Sequence, residues 1–111
     1  MNMGVEGDGN PLIAAAGGGH TAAVTMLLER GANIEAVVDG DENALIQAAA
    51  RGRLEVVRLL VAQGANVNAS VRVESNVNGR IKTEDRTPLS MARRAGHTAV
   101  VEFLQSAGAQ Q

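Results

Sequence analysis

The sequence has no cysteine, no tryptophan and no tyrosine, and its one aromatic residue is Phe103. Without cysteine there can be no disulfide and no thiolate zinc site, a composition that fits a reducing compartment. Without aromatics a sandwich or barrel core is hard to fill. The apolar share of 45% rests on Ala, Val, Leu and Met, which favours closely packed small-residue helices. No apolar run approaches the roughly 18 residues of a membrane span. The start, MNMGVEGDGN, lacks the basic and apolar regions of a secretory leader, so the chain is read as soluble and cytoplasmic. Charge of one sign is missing too: ten basic against twelve acidic residues leave −2, which argues against a general nucleic-acid binder. A length of 111 residues is that of one domain.

What the sequence does have is self-similarity. GNPLIAAAGGGHTAAVTMLLERGAN, ENALIQAAARGRLEVVRLLVAQGAN and RTPLSMARRAGHTAVVEFLQSAGAQ align on Leu12, Leu45 and Leu89, on Gly19, Gly52 and Gly96, and on Gly31, Gly64 and Gly108. The first step is 33 residues at every anchor and the second is 44. Such agreement marks a repeat architecture. Each unit reads as two short helices. Asn10, Asn43 and Thr87 can cap the first helix, and the two prolines, Pro11 and Pro88, follow at the position where a missing N–H costs nothing. Small residues at 14–16 and 48–50 let a neighbouring helix come close, and Gly19, Gly52 and Gly96 suit the left-handed residue that stops the helix. The second helix carries an apolar stripe: Ala23, Val24, Leu27; Val56, Val57, Leu60; Val100, Val101, Leu104. One unit cannot bury its own apolar face, so neighbours must stack, and about three are needed.

This pattern resembles the ankyrin repeat, most specifically in RTPLSMARRAGH and AARGRLEVVRLLVAQGANVNA. The resemblance implies an all-α, helix-rich solenoid of stacked helix-turn-helix units with β-hairpin fingers. One domain, 1–111, would hold repeat 1 at about 5–37, repeat 2 at about 38–70, an extended finger at about 70–86 and repeat 3 at about 87–109. The family's His after Leu is replaced by Ile13, Ile46 and Ser90, so the hydrogen bond of that His is expected to be absent. Arg93, at a small-residue position of the last unit, suggests a C-terminal cap facing water. Three glycines in AAAGGGH suggest a fraying first helix. GDGNPLI, GDENALI and the long last finger are also similar to the ankyrin segments appended to bacterial β-lactam-sensor-type membrane metallopeptidases, although no peptidase residues are present.

The eleven surplus residues fall in the last finger. VRVES and RIKTE alternate β-branched with charged residues, and Asn78-Gly79 is a two-residue hairpin signal. That turn would set Val77 opposite Arg80, Asn76 opposite Ile81 and Glu74 opposite Thr83. The alternation is imperfect, so a four-residue loop with shifted register stays open.

No constellation for catalysis is apparent. His20 and His97 occupy the same slot two units apart, about 20 Å by helix-layer spacing, too far to share a metal. Asp8, Asp41 and Asp85, with Glu6, Asp39 and Glu42, form a ladder suited to turns and helix N-termini rather than a calcium cage. No catalytic residue, cofactor or metal is therefore expected. Charge changes sign along the fingers. The first two hold acids only, while the third holds Arg72, Arg80, Lys82 and Arg86 against Glu74, Glu84 and Asp85, with Arg93 and Arg94 on the following helix. Such a gradient would orient a dipolar partner.

The resemblance implies a non-enzymatic protein-interaction module whose partners touch finger tips and the exposed face of the first helices. Carried to this sequence, that points to Asp39, Asp41, Glu42, Arg51 and Arg94, and to Arg72, Glu74, Asn76, Arg80 and Lys82 on the long finger. Val37, with Val38, would add apolar anchor area. The partner is another protein, with no nucleic acid and no membrane insertion. The alternative is a structural segment that braces a larger, membrane-sensor polypeptide or self-associates through the glycine-rich first unit.

Overall fold

A computed structural model describes residues 11–35 and 43–109. Six short helices and one β-ribbon follow in the order α1 (Pro11–Gly17), α2 (Thr21–Glu29), α3 (Ala44–Ala50), α4 (Leu54–Ala62), β1 (Val71–Val77), β2 (Arg80–Arg86), α5 (Pro88–Ala95) and α6 (Thr98–Ser106). Each first helix packs against its own second helix. The first helices α1, α3 and α5 lie side by side in one layer, and α2, α4 and α6 form the layer behind.

The caps follow the sequence. Asn43 Oδ1 accepts from Ile46 N at 2.9 Å. Asn43 is also the one buried polar residue among those described, at 2% exposure. Thr87 and Ser90 close a reciprocal box: Ser90 N donates to Thr87 Oγ1 and Thr87 N to Ser90 Oγ, both at 3.0 Å. The third unit therefore does carry a hydrogen bond at the slot where the family's His is missing, because a serine hydroxyl at the third helical position can reach back to the capping residue. Asn10, the expected cap of α1, lies outside the described residues. Asn43→Ala should cost about 1–2 kcal/mol, because it removes the cap and leaves the Ile46 amide buried without its acceptor. Equilibrium urea unfolding measures it.

Gly19, Gly52 and Gly96 have φ of +78°, +72° and +80°, the left-handed conformation expected at each first-helix end. The following amide then donates back five residues, from His20 to Ala15, Arg53 to Ala48 and His97 to Ala92, at 3.0, 2.9 and 3.0 Å. The glycine run of the first unit also has a packing reason. A Cβ on Gly17 would lie 2.9 Å from Gln47 Cγ, so a bare backbone there lets the Gln47 side chain of α3 cross it. Helix α1 runs through Gly17 and spans 7 residues, as α3 does, so no shortening of the helix follows from its glycines.

One continuous core joins the units. Leu12, Leu45 and Leu89 repeat down the first layer, and Val24, Val57, Leu60, Val100 and Leu104 repeat down the second, each no more than 1% exposed. Ala16, Ala48, Ala49 and Ala92, all 0% exposed, let the helices approach. Polar contacts link unit to unit as well. Arg53 Nε donates to Gly17 O at 2.9 Å. Glu35 accepts from Asn66 N at 2.7 Å and from Asn43 Nδ2 at 3.4 Å. Asn68 Nδ2 reaches Gly108 O at 3.3 Å. Arg58 stacks over Phe103, 5.8 Å from the ring centroid. The expected outward placement of Arg93 is observed.

Candidate partner-binding surface

The long finger is a two-stranded antiparallel ribbon of seven residue pairs, from Val71 opposite Arg86 to Val77 opposite Arg80. Asn78 at φ +54° and Gly79 at +80° make the two-residue turn. Positive φ at both positions is what the twist of the flanking strands demands, and Asn-Gly supplies it with little strain. The pairings of Asn76 with Ile81 and Glu74 with Thr83 match the tighter of the two registers open from sequence.

The register sorts the side chains onto two faces, because opposite residues share a face and the period is two. One face carries Val71, Val73, Ser75 and Val77 beside Arg86, Glu84, Lys82 and Arg80. The other carries Arg72, Glu74 and Asn76 beside Asp85, Thr83 and Ile81. Burial divides the first face along its length. Val71, Val73, Glu84 and Arg86 at the base are half-buried, whereas Ser75, Val77, Arg80 and Lys82 toward the tip are exposed. The ribbon is thus rooted at its base and bare at its end.

Electrostatics follow the same division. At the base, Glu84 Oε2 accepts from Arg86 Nε at 2.8 Å and from Arg94 Nη1 of α5 at 3.1 Å. These contacts tie the ribbon to the last unit. They hold the Glu84 carboxyl below the ordinary glutamate range, the Arg86 hydrogen bond first and the Arg94 bond second. On the other face Arg72 Nε meets Asp85 Oδ1 at 3.2 Å. At the tip, no carboxylate among the described residues pairs with Arg80 or Lys82. A group with a lowered pKa stabilises the folded form above its ordinary value, and that contribution is lost as pH falls through the lowered value. Acidification should therefore loosen the base of the finger. Glu84→Gln should do the same at neutral pH, speeding amide exchange of β1 and β2 several-fold while the core helices are unchanged. Equal exchange in the two proteins would remove Glu84 as the anchor.

The expected site residues divide accordingly. Arg80 and Lys82 come together on one face of the tip, and Glu74 and Asn76 on the other, all exposed. Arg72 and Arg94 already hold carboxylates, so a partner would compete for them. Arg51, exposed at the end of α3, lies along the first-helix layer, and its side chain runs beside Gly17. Val37, Asp39, Asp41 and Glu42 lie outside the described residues, as do the first finger and the turn of the second.

Two residues at the tip were not among those singled out. Val77 and Ile81 are 49% and 66% exposed, and only Met26 among the other large apolar side chains described is comparably bare. With Asn78, Arg80 and Lys82 they line an open concavity of about 650 Å³. Their signal in the sequence is limited to β-branched residues flanking a hairpin turn, and their exposure follows only from the fold. Among the described residues, no cluster of His, Asp or Glu could hold a metal ion, and no helix is long and apolar enough to cross a membrane.

Comparison with known proteins agrees with this geometry. The family model described as ankyrin repeats (3 copies) matches residues 2–71, and that described as ankyrin repeats (many copies) matches residues 45–105. The chain belongs to the ankyrin repeat family. The crystal structure of the human ASB11 ankyrin repeat domain is similar, at 30% identity and a TM-score of 0.73 over 91% of this chain. The match spans 41% of that domain. No curated protein matches the chain. Ankyrin repeats are in general protein–protein interaction modules.

Proposed function

We propose that the chain is a non-enzymatic protein-binding module whose three units, at about 5–37, 38–70 and 87–109, carry a working arm, the finger at about 70–86. The observation that supports this reading is the form of the arm. A unit of this array can be closed by far fewer residues, as the 33-residue step shows, yet here a seven-pair ribbon extends beyond its anchored base. An isolated ribbon gains little stability of its own in water. Its outer half also leaves two large apolar side chains in solvent, and apolar area beside a polar rim is what interface hot spots are built from. The inner helix layer, with Arg51 and Arg94 along it, would form the rest of the surface.

Affinity capture with two baits tests the reading. One bait is the full chain. The other lacks residues 74–77 and 80–83, which leaves Val73 and Glu84 flanking Asn78-Gly79 with every remaining side chain on its original face, because four residues are removed from each strand. A protein retained by the full chain and lost from the trimmed bait is the expected result. Equal retention by both moves the surface to the inner helices. Light scattering of the full chain serves as the companion measurement: a strict monomer over a wide concentration range is expected, and a concentration-dependent dimer would favour self-association.

A further inference from the structure

We propose that the outer edge of β2 at the tip docks an extended acidic strand of a partner protein, in which carboxylates alternate with apolar side chains. The inference rests on the protein-binding reading above and names the chemistry of the partner. Three features converge on it. The first is charge against the background: the chain as a whole is −2, yet the tip face offers Arg80 and Lys82 with no carboxylate paired to either among the described residues. The nearest acid on that face, Glu84, is already held by two arginines. Glu74, with no ion pair among the described residues, lies on the opposite face.

The second feature is spacing. Arg80 and Lys82 are two residues apart on one strand, about 6.6 Å by strand rise. Carboxylates two apart on an extended peptide have the same separation, so a strand laid beside β2 can set one acid against each cation. Its intervening side chains then fall on the other face, beside Ile81, which is 66% exposed and lines the same concavity. The third feature is the edge itself. Among the described residues β2 pairs only with β1, so its outer backbone groups are free to bond an added strand. Cations on that edge discourage a second copy of β2 from adding there, since like charges would face each other. They select an acidic strand. Two cations beside apolar side chains are also too few for nucleic acid, whose binders neutralise several phosphates.

Selection of short random peptides displayed on phage, with the intact chain as target, tests the proposal. Enriched peptides should carry Asp or Glu at alternate positions. A selected peptide, synthesised with a fluorophore, should bind Arg80→Glu/Lys82→Glu at least about tenfold more weakly and weaken as salt is raised. Glu102→Lys, exposed on α6 in the other helix layer, should leave the peptide's affinity unchanged. Both variants change exposed side chains, and circular dichroism confirms that the array is intact. Selected peptides that bind the double variant undiminished would overturn the tip site while leaving the module reading in place. The same holds if a single-stranded oligonucleotide displaces them as readily as excess peptide. Enrichment of no peptide at all would likewise overturn the tip site, the module reading being tested separately by affinity capture.

Discussion

Gly52→Ala is expected to destabilise the array by about 2–5 kcal/mol, a large effect for a single methyl group. Two costs add. Gly52 has φ of +72°, where an L side chain costs roughly 1–2 kcal/mol. Its Cβ would also lie 2.6 Å from His97 Nδ1 and 2.9 Å from His97 Cγ. The Cγ atom is the root of the ring, so a small rotation of the tip does not clear it, and overpacking of that kind costs about 1–3 kcal/mol. Gly96→Ala separates the two terms. Gly96 has the same backbone, φ +80°, with nothing near its Cβ position, so only the conformational cost of about 1–2 kcal/mol should appear. His97→Ala in the Gly52→Ala background should restore much of the difference, a coupling that a double-mutant cycle reads directly. Thermal unfolding serves as the assay, at roughly 4–8 °C per kcal/mol for a domain near this size. Equal losses for Gly52→Ala and Gly96→Ala would mean that His97 is not seated on the second unit.

Leu45→Ala should be comparably severe, about 2–5 kcal/mol. Leu45 is 1% exposed on α3, the helix packed by both α1 and α5. In a linear array stability is a sum of units and nearest-neighbour interfaces. A cavity in the middle unit therefore weakens both interfaces at once. A domain of this length has a total of about 5–15 kcal/mol to lose, so the variant should be substantially unfolded in mild urea. Ile81→Ala removes a side chain of similar size from the finger tip and should stay within about 0.5 kcal/mol of the parent. A large loss there would show that the tip packs against the array.

Much of this architecture was legible in the sequence because the devices that build it are local. A capping side chain acts within one turn, as Asn43 and Thr87 do, and a left-handed glycine acts at its own residue. Asn78-Gly79 marks the turn locally, although two registers stay open until the strand pairing is seen. The contacts between units were not legible in the same way. That Arg53 Nε bonds Gly17 O, or that Gln47 lies across Gly17, depends on how far one helix pair is displaced along the next. No local spacing encodes that displacement, and the glycine run therefore read as a weakness rather than as room for a neighbour. The finger shows the same limit. Its charges could be counted from the sequence, but their pairing could not. Arg94 belongs to Glu84 because α5 brings it to the ribbon's base, and Arg80 and Lys82 meet no carboxylate among the described residues for the complementary reason. The exposed positions of Val77 and Ile81 likewise depend on how far the ribbon stands clear of the helices.

A division between scaffold and arm underlies the whole account: the helices hold the fold together and the outer ribbon contributes almost nothing to it. Equilibrium urea unfolding of the chain lacking residues 74–77 and 80–83 tests that division most directly. The trimmed protein keeps the base of the finger, the turn and the Glu84 anchor, and it closes a shorter connection, which costs slightly less entropy. Its stability should match that of the full chain within about 0.5 kcal/mol, with little change in the slope of the transition. A loss of about 2 kcal/mol or more would contradict the account and make the ribbon part of the fold.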